Sequence, residues 1–278
     1  MGHNLWFMRS MSNPLRVAIV STPRSGNMWL RLLLSKSYGG EHIAEHTPDE
    51  VHWDALPPGN IVLQIHWHRT REFVETLSRH NFRVVVLARH PLDVLISILH
   101  FAQREPLTRR WLEGENGNEP SLIGQTPSSR AFSTYAVSQR AASLFAVSDE
   151  WSKAPNTITL RYEDLVHNTK PTLATVFDVL GRPDCDIDTA ISECSLGKLK
   201  PTAANGHFWK GQPNLWKRLI STSLAKQIYR AHSAVLDHMH YNVEGSVELS
   251  DDQIDQLWSM LIDEDGSAAC PDRPSQAA

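Results

Sequence analysis

Residues 17–34, VAIVSTPRSGNMWLRLLL, join an apolar run to a short polar turn and a helical pattern. The turn carries the cation Arg24, and Gly26 permits close approach of the backbone to a ligand. Amides at the start of the following helix, with the side chains of Ser25 and Asn27, add hydrogen-bond donors. The segment therefore predicts a site for a phosphate-like anion, with an ordinary strand-to-helix turn as the alternative. It is not a Walker A sequence, because no second glycine precedes Gly26.

A second segment with possible chemistry is VVVLARHPLDVLISILHF, residues 84–101. Arg89 ends an apolar run, and Ser97 follows eight residues later inside a helical pattern. Pro91 suits the first turn of that helix. The spacing predicts that Arg89 and Ser97 contact one phosphate near the strand-to-helix junction. Taken alone, RHPLD is equally compatible with an unremarkable turn.

The candidate general base is His66, at the end of the apolar run NIVLQI. Histidine suits proton transfer near neutral pH, although a histidine that simply caps a strand is the alternative. His68 lies two residues further on, and the two side chains share a face if the strand continues. That spacing also allows a metal site, but no third ligand stands at a convincing spacing, and we expect no metal.

TPRSGNMWL, residues 22–30, resembles the 5′-phosphosulfate loop of sulfotransferases that use 3′-phosphoadenosine 5′-phosphosulfate (PAPS). Met28 departs from the family's usual threonine, and Trp29 falls at the family's adenine-stacking tryptophan. The segment with Arg89 and Ser97 resembles the family's 3′-phosphate motif. The two motifs occur in the family's order, with Arg89 65 positions after Arg24.

The resemblance extends over about residues 15–242. Residues 159–181 resemble the family's YEDL strand and helix, with Tyr162 at the adenine-contacting tyrosine. WKGQPNLWKRLIS, residues 209–221, resembles the segment whose lysine and glycine close over the 3′-phosphate, here Lys210 and Gly211. Trp209 replaces the family's arginine, and Ser195 lies in a region that departs from the family's TSF stretch. The cofactor-binding residues that the resemblance implies are Arg24, Ser25, Gly26, Asn27, Met28, Trp29, Arg89, Ser97, Tyr162, Ser195, Lys210 and Gly211.

The family's reaction moves a sulfuryl group in line from PAPS, with PAP as product, to a hydroxyl or amine of a small-molecule, lipid or sugar acceptor. The resemblance implies two catalytic residues. Arg24 would stabilise charge on the leaving phosphate oxygen, and His66 falls at the family's catalytic histidine. Gln64 replaces a lysine that contacts the bridging oxygen in relatives, which leaves more of that stabilisation to Arg24.

Two other functions are compatible with these motifs. One is a non-catalytic scaffold or sensor that binds PAP or PAPS, which the replacements at Gln64 and Trp209 would suit. The other is a small-molecule P-loop kinase. A kinase would need a Walker lysine with Ser or Thr and a magnesium-binding aspartate, and neither is evident in the sequence.

These motifs require elements that bring them together. The predicted strands are residues 16–20, 60–65, 83–87 and 157–162. They alternate with helices predicted at residues 28–37, 92–101, from near 171, 131–151, 224–240 and 251–262. This alternation predicts an α/β, three-layer, P-loop-like fold with a central parallel β-sheet flanked by helices. In such sheets ligands bind at the carboxyl ends of the strands.

The predicted domain spans residues 15–242, after an N-terminal extension of residues 1–14. Residues 104–130 are predicted to form a flexible loop over the substrate. Residues 243–278 are predicted to be an acidic helix and, from residue 263, a disordered tail. We expect the acceptor pocket to draw on residues 42–53, Trp67, the loop of residues 104–130 and parts of residues 131–150. The tryptophans Trp53, Trp67, Trp111 and Trp151 either form an aromatic wall there or are scattered core and surface residues.

The composition and net charge exclude some classes of binding partner. The chain has 278 residues, of which 41% are hydrophobic and 21% charged, as in globular proteins. A net charge of −4 argues against a general nucleic-acid binder. No apolar run is long enough for a membrane span or signal peptide, and the three cysteines form no CxxC motif. These features predict a cytoplasmic protein with free thiols.

Residues 217–226, KRLISTSLAK, do not match the dimerisation motif of the cytosolic animal enzymes, so we expect no dimer of that kind.

Overall fold

Five parallel strands form the central sheet of the computed structural model, which describes residues 13–103, 119–183, 185–202, 208–246 and 248–266. The strand order is β2-β3-β1-β4-β5. The strands are β1 (Arg16–Val20), β2 (Glu41–Ala44), β3 (Ile61–Ile65), β4 (Phe82–Ala88) and β5 (Ile158–Arg161). Four of them were predicted. The edge strand β2 was not, because it has four residues, of which three are exposed, and so lacks a buried apolar pattern.

The α-helices cover both faces of the sheet. In chain order they are α1 (Asn27–Tyr38), α2 (Arg71–Arg79), α3 (Pro91–Ala102), α4 (Arg130–Ala136), α5 (Gln139–Ser152), α6 (Tyr162–His167), α7 (Thr169–Leu180), α8 (Ile187–Glu193), α9 (Leu196–Leu199), α10 (Trp216–Leu219), α11 (Thr222–His238) and α12 (Asp251–Gly266). No helix in the described part of the chain combines the length and apolar character needed to cross a bilayer.

Alternate residues of β1 face two separate apolar cores. Val17 and Ile19 pack with residues of α1 and α7 on one face of the sheet. Ala18 and Val20 pack with residues of α3, α5 and α11 on the other. Both faces are therefore buried, as continuous apolar strands of a parallel sheet require. The predicted three-layer α/β fold is confirmed.

Several boundaries differ from the prediction. The helix predicted at residues 131–151 is two helices, because Ser138 accepts a hydrogen bond from the Ala141 amide and so starts α5 anew. Helix α2 was not predicted. Helix α12 continues to Gly266, beyond its predicted end at residue 262. Of the predicted loop over the substrate, residues 104–118 lie outside the described residues, as do residues 1–12 and 267–278.

The segment that carries Lys210 and Gly211 is held against α3 by one buried carboxylate. Asp93 is 1% exposed. Its Oδ2 accepts a hydrogen bond from the Asn214 amide at 2.6 Å, and its Oδ1 accepts one from the Trp216 amide at 2.9 Å. Burial raises the pKa of Asp93, while the nearby Arg89 charge opposes that rise. The carboxylate thus fixes residues 214–216 beside the end of β4.

His90, at the start of α3, also contacts the C-terminal part of the chain. Its Nδ1 accepts a hydrogen bond from the Leu92 amide at 3.2 Å and so caps α3, while its Nε2 donates to the Asn242 carbonyl at 2.8 Å. The ring stacks on Trp216 with centroids 4.7 Å apart. Burial lowers the pKa of His90 to about 4. The neutral ring therefore ties α3 to the two C-terminal segments.

Replacing Asp93 by alanine should lower the free energy of unfolding by about 3 kcal/mol, because two buried amides lose their acceptor. Urea unfolding measures the difference. Asp178→Ala is the matched control, since Asp178 is an exposed residue of α7 whose Oδ1 lies 3.9 Å from Nη2 of the exposed Arg182. Equal losses in the two variants would contradict the role of Asp93.

Replacing His90 by asparagine should make stability less sensitive to acid. The folded pKa of His90 is about 4, below its ordinary value of 6.5, so only the unfolded chain takes up this proton between those pH values. The contribution of neutral His90 to the free energy of unfolding is complete above pH 6.5 and is lost as the pH falls towards 4. Asparagine still caps the helix, and the variant should reduce the slope of unfolding free energy against pH by about 1.4 kcal/mol per pH unit. An equal change in His167→Asn, whose side chain is exposed, would contradict this assignment.

Candidate active site

The loop between β1 and α1 is rigidly anchored. The Thr22 amide donates to Ser148 Oγ, and Thr22 Oγ1 donates to the Leu144 carbonyl, both at 2.8 Å. Asn27 Nδ2 donates to the Thr22 carbonyl at 3.0 Å. Gly26 has φ of 96°, and a Cβ there would lie 2.6 Å from the Tyr162 ring. Only glycine therefore fits at this turn.

The N-terminus of α1 opens onto this loop. The first backbone hydrogen bond of α1 runs from the Leu30 amide to the Gly26 carbonyl at 3.2 Å, which leaves the amides of residues 27–29 unbound within the helix. Gly26 has no side chain to cap them. Ser25 Oγ is buried and has no hydrogen-bond partner among the described residues. These donors suit an anion at the helix N-terminus.

Two arginines face the same space. Arg24 Nε donates to Ser97 Oγ at 3.2 Å, and the Arg24 guanidinium carbon lies 4.2 Å from the centroid of Phe101. Arg89 Nη1 donates to the Arg24 carbonyl at 2.9 Å, and its guanidinium carbon lies 4.5 Å from the Tyr162 centroid. Burial and the Arg89 charge together lower the pKa of Arg24 to about 9. Both arginines are charged at neutral pH, so an anion between them would be stabilised.

His66 directly follows β3 and presents one ring nitrogen to this space. Its Nδ1 lies 2.8 Å from the Ser21 carbonyl, which can only accept, so Nδ1 carries the proton. Burial above all, partly opposed by the hydrogen bond to Ser21 and with lesser contributions from His46 and the Arg24 charge, lowers the pKa of His66 to about 3. The ring is therefore neutral, with the lone pair on Nε2.

These groups line a cavity of about 270 Å³. It lies where β1, β3, β4 and β5 end, as expected for a parallel sheet. The predicted site residues on its wall are Arg24, Gly26, Asn27, Met28, Trp29, His66, Arg89, Ser97, Tyr162, Lys210 and Gly211. Ser25 is fully buried beneath the loop, and Ser195 precedes α9 without lining the cavity.

Aromatic groups shape the cavity at the α1 side. Trp29 Nε1 donates to the Cys194 carbonyl at 2.9 Å, and the Trp29 ring meets the edge of Tyr162 with centroids 6.4 Å apart. Gly211 has φ of 63°, and a Cβ there would lie 3.1 Å from Leu196 Cδ2. Trp29 and Tyr162, predicted to contact the adenine, therefore line the same cavity as Gly211, predicted to contact the 3′-phosphate.

Sequence reasoning missed a second set of cavity residues, namely Phe101, Val166, Leu196, Leu199, Phe208, Gln212 and Leu215. The cavity residue His46 falls within residues 42–53, which were expected to contribute to the acceptor pocket. His46 follows the unpredicted strand β2, and its ring centroid lies 6.3 Å from that of His66. The apolar members stand in helices or short segments whose patterns indicate burial equally well. A cavity wall and a core look alike in a sequence.

For the tryptophans that the structure describes, packing in or against the core is favoured over an aromatic wall of the cavity. Trp53 and Trp151 both pack against Phe73, and Trp151 Nε1 donates to the Trp67 carbonyl at 2.9 Å. None of these three tryptophans lines the cavity. Trp111 lies outside the described residues.

The replacement at Trp209 is explained by packing. The Trp209 ring stacks on His100 with centroids 4.1 Å apart and meets the edge of Trp258 of α12 at 5.8 Å. Trp209 is 7% exposed, so it joins the core as well as the cavity wall. Helix α12, outside the predicted domain, thus packs next to Lys210.

His68 does not join His66. Its two ring nitrogens contact Glu150 at 3.3 Å and Ser143 at 3.2 Å. Within the described ranges no three His, Cys, Asp or Glu residues are arranged to hold a metal ion. Cys194 is buried and Cys185 half-buried, both as free thiols.

Comparisons with solved structures place the fold among known enzymes. Mouse sulfotransferase SULT7A1 complexed with PAP aligns with a TM-score of 0.56 and 16% identity, covering 82% of this chain and 89% of that one. Retinol dehydratase in complex with retinol and PAP aligns with a TM-score of 0.53 and 18% identity, covering 86% and 85%. A second retinol dehydratase complex, with androsterone and PAP, gives a TM-score of 0.50 and 18% identity, covering 81% and 82%. At these low sequence identities, the similarity shows a shared fold.

Sequence comparison identifies the family. No curated protein sequence gives a significant match. The family model for the sulfotransferase domain matches residues 14–239, which is most of the chain and includes the phosphate loop, His66, Arg89 and Lys210. The chain therefore belongs to the sulfotransferase domain family.

Proposed function

We propose that this sulfotransferase uses PAPS as donor, releases PAP, and transfers the sulfuryl group to a hydroxyl or amine of a small-molecule, lipid or sugar acceptor. The observation that carries the proposal is one cavity lined by the N-terminus of α1, two arginines and the unprotonated nitrogen of His66. PAP occupies the SULT7A1 and retinol dehydratase structures, which supports the donor.

The donor would lie along the phosphate loop. The free amides of residues 27–29 would bind the 5′-phosphosulfate. Ser25, which the sequence also assigned to this role, is fully buried and does not line the cavity. Arg89 and Ser97, with Lys210 and Gly211, would bind the 3′-phosphate. Trp29 and Tyr162 would contact the adenine. These side chains fit a nucleotide with two anionic groups, since three cations and no carboxylate stand among the described residues that line the cavity.

Transfer would proceed in line. The acceptor oxygen or nitrogen forms a bond to sulfur while the bond from sulfur to the bridging oxygen breaks, and the bond's electron pair stays on the phosphate of PAP. Arg24 would stabilise that charge, because its guanidinium keeps its proton at neutral pH. His66 Nε2 would take the acceptor proton.

The acceptor would lie between His66 and the apolar side chains of Phe101, Phe208 and Leu215, which line the cavity. Retinol and androsterone, present in the retinol dehydratase structures, support a small and largely apolar acceptor. A location in the cytoplasm and the absence of the animal-type dimer stay predictions.

Replacing His66 by alanine should lower kcat by a factor of about 100 to 10,000, because the acceptor proton loses its base. The dissociation constant for PAP should stay within about twofold, since His66 takes no part in the proposed phosphate contacts. Steady-state kinetics and calorimetric titration measure the two effects.

His68→Ala is the matched control, because His68 follows the same strand but contacts Glu150 and Ser143 instead of the cavity. The His68→Ala variant should keep the kcat of the wild type. A His66→Ala enzyme with normal kcat would overturn the base assignment. Tight PAP binding without turnover on any acceptor would favour the scaffold or sensor function.

Calorimetric titration should show that the wild-type chain binds PAP and requires the 3′-phosphate, with weak binding of 5′-AMP and ATP. Arg89→Ala should weaken PAP binding about 10- to 100-fold, as expected for the loss of a charge-assisted contact. Arg83→Ala serves as the control, because Arg83 is an exposed residue of the same strand. Equal affinity for PAP, AMP and ATP would reject the donor assignment and favour the kinase.

A further inference from the structure

Gln64 shares the wall of the cavity with His66 and is its immediate neighbour in space. The two residues are two positions apart at the end of β3, and Gln64 Nε2 lies 3.3 Å from His66 Nε2. Since His66 Nδ1 donates to the Ser21 carbonyl, Nε2 of the neutral ring is an acceptor. The amide nitrogen of Gln64 therefore donates to the nitrogen that would take the acceptor proton.

An amide side chain can serve both protonation states of His66. When Nε2 carries a proton it becomes a donor and opposes the Gln64 N–H group. A half-turn of the terminal amide brings the carbonyl oxygen to the same place, where it accepts from Nε2. Gln64 Oε1 is buried and has no hydrogen-bond partner among the described residues. The half-turn thus breaks no hydrogen bond to that oxygen.

The ionisable groups around His66 oppose its protonation, whereas the hydrogen bond to the Ser21 carbonyl favours it. The His46 ring lies 6.3 Å away, and the positive charges of Arg24 and Arg31 also act on His66. The Ser21 carbonyl is already bound to Nδ1. No carboxylate stands among the described residues of the cavity wall. Gln64 is therefore the neighbouring group with an acceptor to offer the Nε2–H of an imidazolium.

We propose that Gln64 is a positioning residue for His66: its amide N–H holds the single lone pair of Nε2 until the acceptor's own proton replaces it there, and its carbonyl accepts the Nε2–H afterwards. This inference rests on the proposed function. As the bond from the acceptor to sulfur forms and the bond to the bridging oxygen breaks, the acceptor proton moves to His66 Nε2. The Gln64 amide then turns. The leaving electron pair stays on PAP.

The first test is NMR titration of the full chain with ¹⁵N-labelled histidine, which reports the proton state of each ring nitrogen. The wild-type spectrum should show neutral His66 with its proton on Nδ1 from about pH 8 to about pH 5. Gln64→Glu keeps the size of the side chain but supplies only acceptors. It should raise the proton affinity of His66 at least about tenfold, or about one pH unit.

Kinetics give the second test. Gln64→Met removes the donor and the acceptor at similar volume, and kcat should fall about tenfold or more while PAP affinity stays within about twofold. In Gln64→Glu the acid limb of the kcat profile should move to higher pH along with the NMR titration. Gln227→Glu is the matched control, since Gln227 is an exposed residue of α11 and should leave both readouts unchanged.

The outcomes separate this inference from the proposed function. An unchanged His66 titration in Gln64→Glu, or full kcat in Gln64→Met, would overturn the role of Gln64 alone when His66→Ala is inactive. If His66→Ala kept its turnover, the base assignment would fail and the role of Gln64 with it. A shifted titration together with a shifted acid limb and an inactive His66→Ala would support the inference.

Discussion

The guanidinium groups of Arg24 and Arg89 line one cavity and repel each other. The surrounding structure has to hold both charges in place against this repulsion. The repulsion contributes to the lowered pKa of Arg24. It is offset by contacts that hold both side chains: Ser97 accepts from Arg24, and the Arg24 carbonyl accepts from Arg89. The aromatic faces of Phe101 and Tyr162 add favourable cation–π contacts. An anion bound between the two arginines would relieve the repulsion.

Because the cations must stay in place without a ligand, their loops are anchored by groups far away in the chain. Thr22 is bound to α5 through Ser148 and Leu144. Asp93 binds the amides of Asn214 and Trp216 and so holds the segment beside Lys210. Mutations at these anchors would affect cofactor binding through geometry alone, since an anion site of this kind depends on preformed donors.

Burial, reinforced by the same positive charges, keeps His66 neutral. Burial and neighbouring charges lower its pKa, so the lone pair is available throughout the physiological range, but the imidazolium formed by proton transfer is disfavoured. A reaction that passes a proton to such a base benefits from a neighbour that accepts a hydrogen bond. Gln64 supplies that acceptor without adding charge.

The sequence by itself predicted the strands β1, β3, β4 and β5, the helices after β1 and β4, and candidate site residues near strand ends, such as Arg24, His66 and Arg89. These are local patterns, and the parallel sheet then brings strand ends to one edge. Only the tertiary structure decided the rest. The edge strand β2 has no buried pattern, and the break before α5 depends on one serine cap. His46 enters the cavity, while Trp53 does not, because the face an aromatic side chain meets is set by contacts between residues distant in the chain.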